Sequence, residues 1–397
     1  MSGRSTSCDR QPSKDPLGYG TMGKASNKPC VIDLYAGVGG MSLGVARAGF
    51  DLRAAVELDG IAIGTHAINF PTSRHLNWDV SRTSGEALLE AAGLTRGKLD
   101  GLVGGPPCQG FSDIGKRASD DPRNSLFGDF FRLVNEVRPR FFIAENVPGI
   151  LADRNGSIVQ KALARIPSNY VLLGIREVAA NSMGAPTSRA RVFFVGYDPN
   201  EMEPPMESEL FEKIDTGTVT VGMALAGLPI VRSDWQAEAQ GWRRVDPSPG
   251  HGTFYDKLVN AVPPGVGSTT ALKRLRQAHE VSGNLGTKHT DDVIQRFRSV
   301  RQGETDAVSR APRLSEHGFC PTLRAGTAAD RGSFQAVRPI HFRSPRVITP
   351  REAARLQGFP DWFQFHGTKW HSFRQIGNSV SPILAETLLS RIRSKFD

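Results

Sequence analysis

Residues 29–40 read Pro29-Cys-Val-Ile-Asp-Leu-Tyr-Ala-Gly-Val-Gly-Gly40. A short apolar, β-branched run ends here in a glycine-rich turn, and a helical pattern follows from Met41 to Ala48. Strand, glycine turn and helix form the first half of a βαβ unit, whose turn can offer free N–H groups to a ligand. The turn alone is a weak signal, because Ser42 stands where a G-x-G-x-x-G motif has its third glycine. A plain tight turn remains an open alternative at this point.

The same alternation continues through the first half of the chain. It predicts an α/β fold with a mostly parallel sheet covered by helices on both faces. The predicted strands are 29–35, 52–58, 99–104, 141–145, 171–178 and 192–197, and the predicted helices are 41–48, 60–69, 84–92, 125–137, 271–279, 349–357 and 382–394.

Composition limits the classes of function. The 397 residues include 49 Lys and Arg against 40 Asp and Glu, a net charge of +9 that weakly favours polyanionic partners. No run approaches the roughly 20 apolar residues of a membrane span, and the N-terminus does not resemble a signal peptide, so we expect a cytosolic protein. The cysteines at 8, 30, 108 and 320 show neither metal-site spacing nor the density of a disulfide scaffold.

Changes in composition and periodicity along the chain predict four segments. Residues 1–28 lack periodicity and are predicted to be a disordered tail, and 29–200 hold the α/β pattern. Residues 201–345 are irregular and are predicted to form a second domain; within them, 271–345 hold 13 Lys and Arg against 7 Asp and Glu. Helical patterns return in 346–397, which we expect to complete the first domain.

Two segments at predicted strand ends are candidates for chemistry. In Gly104-Gly-Pro-Pro-Cys-Gln-Gly-Phe-Ser112, the prolines hold Cys108 on a stiff turn, as a nucleophile requires. A lone cysteine is more often a small buried hydrophobe, but a core residue has no need of Gly-Gly-Pro-Pro before it. Phe141-Phe-Ile-Ala-Glu-Asn146 places Glu145 at the next strand end, where the carboxylate could share a proton near Cys108 or serve only as a cap or ion pair.

Several motifs in a fixed order carry a family resemblance. The chain resembles the DNA (cytosine-5)-methyltransferases over almost all of residues 29–397. The motifs stand in that family's order: Asp33-Leu-Tyr-Ala-Gly-Val-Gly-Gly40, Glu57, Asp79, Gly105-Pro-Pro-Cys-Gln-Gly-Phe-Ser112, Glu145-Asn-Val147, Arg189-Ala-Arg191, Arg351-Glu-Ala-Ala-Arg-Leu-Gln-Gly-Phe-Pro360 and Gly377-Asn-Ser-Val-Ser-Pro382.

The resemblance implies a Rossmann-like domain that binds S-adenosyl-L-methionine, with a smaller, irregular target-recognition domain inserted into it. It assigns Glu57 to the cofactor ribose and Asp79 to the adenine amine, although Asp79 taken alone would be interpreted as a helix cap. The cofactor-binding residues it implies are Leu34, Ala36, Gly37, Gly39, Glu57, Leu58, Asp79, Pro106, Asn378 and Val380.

The resemblance also implies a reaction that needs no metal. Cys108 would attack C6 of a flipped-out cytosine, Glu145 would hold N3 and the exocyclic amine, and Arg191, with Arg189 of the same motif, would complete the catalytic set. Residues 109–124 would form a lid. The DNA contacts we expect are Gln109, Ser112, Arg296, Arg298, Arg301 and Arg324, and Arg338 belongs to the same basic stripe.

The implied partner is double-stranded DNA, and a cognate restriction endonuclease acting on the same site is left open. We expect a monomer in the bacterial cytoplasm, associated with the nucleoid through DNA. Two positions depart from the family pattern: Thr187 replaces a common Gln, and Leu58 stands where a larger side chain often stacks on adenine.

Three rival functions are weighed. A cytosine-5 methyltransferase acting on RNA is disfavoured, because such relatives usually lack Gln109–Ser112 and have a shorter recognition region. If the protein were a non-catalytic DNA-binding relative, we would expect Cys108 or Glu145 to be replaced, and both residues are present. The interpretation as a nicotinamide-dependent dehydrogenase would explain the glycine turn but assigns no role to Cys108.

Overall fold

A seven-stranded sheet forms the centre of the protein. The computed structural model describes residues 28–107, 124–203, 205–214, 217–231, 240–247, 254–255, 260–326 and 338–396. The strands are β1 Cys30–Leu34, β2 Asp51–Val56, β3 Arg74–Leu76, β4 Gly101–Gly104, β5 Phe141–Asn146, β6 Val171–Ala179 and β7 Ala190–Tyr197. Their order is β3-β2-β1-β4-β5-β7-β6, and among these seven β7 alone runs in the opposite direction to the other six. The predicted α/β class with a mostly parallel sheet is confirmed.

Some of the described helices cover the sheet, and others belong to the segments that follow β7. They are α1 Gly40–Arg47, α2 Gly60–Asn69, α3 Gly85–Ala92, α4 Asn124–Val137, α5 Gly156–Leu163, α6 Glu207–Leu210, α7 Val221–Leu225, α8 Thr269–Ala278, α9 Asp291–Ser299, α10 Pro350–Gln357, α11 Lys369–Asn378 and α12 Pro382–Arg393. Short 3-10 turns lie at Val80–Arg82, Pro148–Leu151, Asp153–Asn155 and Ala180–Met183, and a small ladder joins β8 Arg243–Arg244 to β9 Glu280–Val281. None of the helices in the described ranges is long and apolar enough to cross a membrane.

Both faces of the sheet are buried, which explains why its strands are continuous apolar runs. In β5, Phe141 and Ile143 pack into the cluster that contains α1 and α12. Phe142 and Ala144, which point the opposite way, pack into the cluster that contains α3 and α4. The sheet therefore separates two apolar cores, as in other doubly covered α/β folds.

Some elements were not expected from the sequence. The strand β3 and the helices α5, α9 and α11 have no counterpart among the predictions. In α9, which is described throughout, Phe297 is the only fully buried residue, and Val293 and Val300, four residues before it and three after it, pack partly buried against the same small cluster, so the apolar face is short but has helical spacing. Its ends carry further helix signals: Thr290 caps the N-terminus, and acidic side chains fill the first turn while Arg296 and Arg298 lie in the last.

The irregular region adds short elements to the main core. Leu210, Val221 and Leu314 belong to the same buried cluster as α1 and α12. A separate small cluster forms around Phe297 and Ile340. Apolar packing is thus continuous across residue 200, and the four-segment division of the chain, including the tail at 1–28, stays a prediction.

A buried ion pair fixes the turn after α10. Arg355 binds Asp361 through two contacts, Nε to Oδ1 at 2.8 Å and Nη2 to Oδ2 at 2.6 Å, and the two side chains are 1% and 3% exposed. Arg355 Nη1 also donates to the carbonyl oxygen of Ala226 at 2.7 Å. The pair therefore ties the C-terminal part of the chain to α7 and its end.

Replacing Asp361 with Asn should lower the free energy of unfolding by about 3–5 kcal/mol, since a nearly isosteric amide leaves the buried guanidinium without its counter-charge. Urea denaturation of the purified variant measures this change. The control is Asp51→Asn, which removes the partner of Arg53 in a partly exposed pair at 3.0 Å and should cost less than about 1 kcal/mol. Equal effects of the two substitutions would contradict the role given to the buried pair.

Candidate active site

A pocket of about 610 Å³ opens at the carboxyl edge of the sheet. The residues that follow β1, β2, β4 and β5 meet there, because the carboxyl ends of parallel strands share one edge. The loop after β3, the start of β7 and the end of α11 complete the walls. Segments from almost the whole length of the chain therefore line one cavity.

Most of the predicted cofactor-binding residues lie in this pocket. Two predicted residues, Leu34 and Gly39, are not among its lining residues: Leu34 is fully buried in β1, and Gly39 forms the N-cap of α1 with a φ of 101°. The predicted residues that do line it are Ala36, Gly37, Glu57, Leu58, Asp79, Pro106, Asn378 and Val380.

Glu57 is held in the turn after β2 by two backbone donors. The N–H of Gly37 donates to Oε2 at 2.9 Å, and the N–H of Asp59 donates to Oε1 at 2.8 Å. Burial raises the pKa of this carboxyl above its usual range, whereas the two N–H groups act in the opposite direction. The carboxylate is therefore fixed in place at the mouth of the glycine turn.

Asp79 is both a capping residue and a lining residue of the pocket. Its Oδ1 accepts from the N–H and the hydroxyl of Ser81 at 3.0 and 2.7 Å, so it caps the 3-10 turn at Val80–Arg82. The same residue lines the pocket beside Trp78. The capping contacts orient the carboxylate at the wall of the cavity.

The C-terminal segment closes the pocket on the side of α1. A β-carbon on Gly40 would lie 2.4 Å from the carbonyl oxygen of Val380, so the first turn of α1 admits the segment only because residue 40 is glycine. The side-chain amide of Gln357 donates to the carbonyl oxygen of Ser379 at 2.8 Å and fixes the same segment from α10. These contacts bring Asn378 and Val380 to the wall.

Glu145 and Arg191 form an ion pair inside the pocket. Arg191 Nε lies 2.6 Å from Glu145 Oε1, and the two side chains are 10% and 11% exposed. The pair spans two neighbouring strands, because the last residues of β5 lie beside the first residues of β7. A carboxylate and a guanidinium thus face the same small volume.

The nucleophile candidate lies just outside the described part of the chain. Cys108, Gln109 and Ser112 fall in residues 108–123, which the structure does not describe. The residue before Cys108, Pro107, lines the pocket, and Asn146 donates from Nδ2 to the carbonyl oxygen of Pro106 at 3.3 Å. The end of the described segment is therefore attached to the strand that carries Glu145.

The thiols that the structure does describe have a different environment. Cys30 and Cys320 are both buried. Burial raises the pKa of the Cys30 thiol to about 11 and that of the Cys320 thiol further still. A thiol in such surroundings stays protonated at neutral pH and is a poor nucleophile.

Arg189 connects three parts of the molecule. Its Nη1 donates to the carbonyl oxygen of Leu323 at 3.0 Å, and its Nη2 donates to that of Gly377 at 2.9 Å. It therefore joins β7 to the end of the irregular region and to the last turn of α11. Thr187, where many relatives of the resembled family have Gln, is fully buried, and its hydroxyl donates to the carbonyl oxygen of Cys320 at 3.0 Å.

The predicted basic stripe divides into two kinds of residue. Arg298, Arg301 and Arg324 are exposed. Arg296 instead binds the buried Asp306, with Nε 2.9 Å from Oδ1. The four residues stay predicted DNA contacts, but Arg296 also has an internal partner.

Sequence reasoning missed a second ion pair at the pocket mouth. Arg374 of α11 binds Asp59, the N-cap of α2, at 2.9 Å, and both residues line the cavity together with His371. The two residues are 315 positions apart. No pattern within the sequence links them, since the contact exists only after α11 has folded over the turn following β2.

Comparisons with known proteins identify relatives across the whole fold. The family model for C-5 cytosine-specific DNA methylases matches residues 30–394. The chain is 39% identical to the type II methyltransferase M.XorII of Xanthomonas oryzae pv. oryzae, over 92% of this chain and 84% of that protein. It is 30% identical to M.DdeI of Desulfomicrobium norvegicum, over 92% and 89%.

Solved structures of methyltransferases are also similar to this chain. A protein described as a DNA modification methyltransferase encoded within an E. coli prophage is 47% identical, with a TM-score of 0.83 over 93% of this chain and 99% of that one. The Dnmt2 methyltransferase of S. pombe, at 16% identity, has a TM-score of 0.59 over 93% and 100% and shares the fold.

Adding one methyl group at Gly40 should disturb the wall of the pocket. Gly40→Ala places a β-carbon against the backbone of Val380, so we expect a loss of about 1–3 kcal/mol in the free energy of unfolding and faster amide hydrogen exchange at residues 377–380. Gly64→Ala is the matched control: that glycine lies in α2, where a β-carbon would meet no atom within 4 Å, and alanine there should stabilise by about 0.5–1 kcal/mol. Two equally stable variants would contradict the close approach.

Proposed function

This chain belongs to the family of C-5 cytosine-specific DNA methylases and is a DNA (cytosine-5-)-methyltransferase, and we propose that it uses S-adenosyl-L-methionine to methylate C5 of a flipped-out cytosine in a specific duplex sequence. Family membership supports the reaction and the DNA substrate. The donor, the covalent step and the base flipping are inferred from the residues of the pocket.

One observation supports this proposal above the others. The Glu145–Arg191 pair and the end of the Pro106–Pro107 segment share a single cavity with Glu57. A cofactor site and a base site must adjoin for direct methyl transfer, and this cavity offers both kinds of lining residue. No second function is favoured by a specific observation.

The cavity fits S-adenosyl-L-methionine chemically. A carboxylate anchored by two backbone N–H groups, Glu57, suits the ribose hydroxyls. Leu58 and Ile61 line the cavity and expose 65% and 41% of their surface, so they offer apolar contact to an adenine ring. When bound, the cofactor supplies an electrophilic methyl group on a sulfonium.

The residues of this chain activate the cytosine. The Cys108 thiolate adds to C6, forming an S–C6 bond and moving the electron pair of the C5–C6 double bond to C5, which takes up the methyl group. Glu145 holds N3 and the exocyclic amine, while Arg191, ion-paired to Glu145, approaches O2 and stabilises the developing charge. Loss of the C5 proton then restores the double bond and breaks the S–C6 bond.

DNA must present the base outside the helix, because a stacked base cannot enter the cavity. We infer that residues 109–124 close over the flipped base, and that the exposed Arg298, Arg301 and Arg324 contact phosphates. The relatives M.XorII and M.DdeI are named type II methyltransferases, which supports a restriction endonuclease as the functional counterpart of this enzyme. We also propose that the enzyme is bacterial, cytoplasmic and monomeric.

Expression of the protein in bacteria should protect cytosines within one short sequence from bisulfite conversion. Genome-wide bisulfite sequencing measures this and identifies the target. Cys108→Ser should show no protected sites, because an alcohol is a far weaker nucleophile than a thiolate at neutral pH. Protection that persists in this variant would contradict the nucleophilic role, and protection absent from the wild type would contradict the activity.

A duplex with fluorine at C5 of every cytosine should trap the enzyme on DNA. Methyl transfer can proceed, but elimination needs a C5 proton that fluorocytosine lacks, so the S–C6 bond persists. Denaturing electrophoresis should show an adduct that requires S-adenosyl-L-methionine and maps to Cys108 by peptide sequencing. If ordinary DNA is methylated but the fluorinated duplex gives no adduct, the covalent step is wrong.

Replacing Arg298, Arg301 and Arg324 together with Gln should weaken binding to a mixed-sequence duplex. Each lost phosphate contact should reduce the slope of log K against log salt by about one unit. Fluorescence anisotropy across a salt series measures the slope. Arg96→Gln, which changes an exposed arginine in the loop leading into the amino end of β4, should leave it unchanged; an unaltered slope in the triple variant would show that these three side chains do not contact DNA.

A further inference from the structure

Four side chains form a continuous row of hydrogen bonds from the pocket into the protein. Ser42 Oγ lies 2.5 Å from Asp33 Oδ2, His66 Nε2 lies 2.9 Å from Ser42 Oγ, and His75 Nε2 lies 3.0 Å from His66 Nδ1. Asp33, Ser42 and His66 are completely buried, whereas His75 on β3 is partly exposed. The row thus connects the pocket to solvent through the protein interior.

The pocket end of the row is a carboxyl with one unused oxygen. Asp33 lines the cavity, and its buried Oδ1 has no hydrogen-bond partner within the part of the chain that the structure describes. It lies near the end of β1, between β2, which leads to Glu57, and β4 and β5, which lead to Glu145. A cofactor that reached from Glu57 toward Glu145 would cross the end of β1, where Asp33 lines the cavity.

Asp33 is poised to hold a proton when no cation is present. Burial raises the pKa of its carboxyl to about 7, and the charge of nearby Glu57 acts in the same direction. The two histidines are unsuited to hold a positive charge, because burial lowers the pKa of His66 well below its usual value and that of His75 to about 4.

All three hydrogen bonds of the row can form in either of two states, in which the donors and acceptors are exchanged. With Asp33 protonated, Asp33 donates to Ser42, Ser42 to His66 Nε2, and His66 Nδ1–H to His75 Nε2. With Asp33 ionised, every donor and acceptor is reversed: His75 donates to His66, His66 Nε2–H to Ser42, and Ser42 to Asp33. Conversion from the first state to the second moves one proton from Asp33 to solvent beyond His75. His66 stays neutral and only changes tautomer.

We propose that binding of the cationic methyl donor is coupled to release of one proton from Asp33, carried to solvent through Ser42, His66 and His75. The inference rests on the proposed use of S-adenosyl-L-methionine, whose ammonium and sulfonium groups both favour an ionised neighbour. Asp33 accepts the cation, and Ser42 and His66 act as positioning residues that keep either state of Asp33 hydrogen-bonded.

The protonation of Asp33 sets the sign of the pH dependence. The titratable and charged groups that line the pocket end of the row, besides Asp33, are Tyr35, Glu57, Asp59, Asp79, Glu145, Arg189, Arg191, His371 and Arg374. Asp33 is protonated below pH 7 in the free enzyme and loses its proton when the cation binds. Affinity for the donor should therefore rise by up to about tenfold per pH unit below pH 7 and level off above it.

Isothermal titration calorimetry in two buffers of different ionisation enthalpy counts the protons released. At pH 6, where the α-amino group of the donor is protonated, wild-type enzyme should release close to one proton on binding S-adenosyl-L-methionine. Asp33→Asn should release almost none, and neither should wild type with 5′-methylthioadenosine, which lacks both positive charges. Asp51→Asn, a surface carboxylate, should behave as wild type.

Release of no proton by wild type, or equal release by Asp33→Asn, would overturn the proposal. Failure of the donor to bind at all would instead contradict the proposed cofactor, so the two failures are distinguishable.

A second measurement tests the row itself. Nitrogen-15 NMR of histidine-labelled enzyme should show His66 changing from the Nδ1–H to the Nε2–H tautomer when the donor binds. Ser42→Ala should abolish this change and move the midpoint of the affinity profile to higher pH, because the Ser42 hydroxyl stabilises the ionised carboxyl. Ser42→Thr, which keeps the hydroxyl, should restore both. A tautomer that does not respond in wild type would refute the relay.

Discussion

A β-carbon at Gly40 would lie 2.4 Å from the carbonyl oxygen of Val380. Because glycine has no β-carbon, the start of α1 and the C-terminal segment can pack directly against each other there. A second close approach reinforces it, since a β-carbon on Gly44 would lie 2.4 Å from Cβ of Ala385 in α12. Without these contacts, the pocket would lack the wall formed by residues 377–380. Packing alone therefore requires glycine at these positions.

The sequence was informative wherever one local rule decided the structure. β5 was recognisable as a continuous apolar run, because Phe141 packs into one apolar core and Phe142 into the other, and Asp59, as N-cap, places the start of α2 where the sequence predicted it. The ordered motifs also predicted that Glu57, Glu145 and Asn378 belong to one site, and all three line the pocket.

Other features escaped because they depend on contacts between distant segments. Nothing near Arg374 reveals its ion pair with Asp59, and nothing near Arg296 reveals that Asp306 is its buried partner. The row from Asp33 to His75 likewise needs α1, α2 and β3 to be packed together before its members can meet. Such polar contacts leave no period in the sequence, whereas burial of an apolar face does.

The reversed direction of β7 has a consequence for how this enzyme can diversify. Arg191, at the start of β7, lies at the pocket edge of the sheet, whereas Tyr197, at its end, pairs with Phe141 at the opposite edge. The chain therefore leaves the sheet far from the pocket, and Cys320 and Leu323 later accept hydrogen bonds from Thr187 and Arg189, just before β7. Insertions and deletions between these points can lengthen or shorten the excursion without straining the strands that hold Glu145 and Arg191. Duplicated genes can thus drift apart in the intervening loops while inheriting the same chemistry.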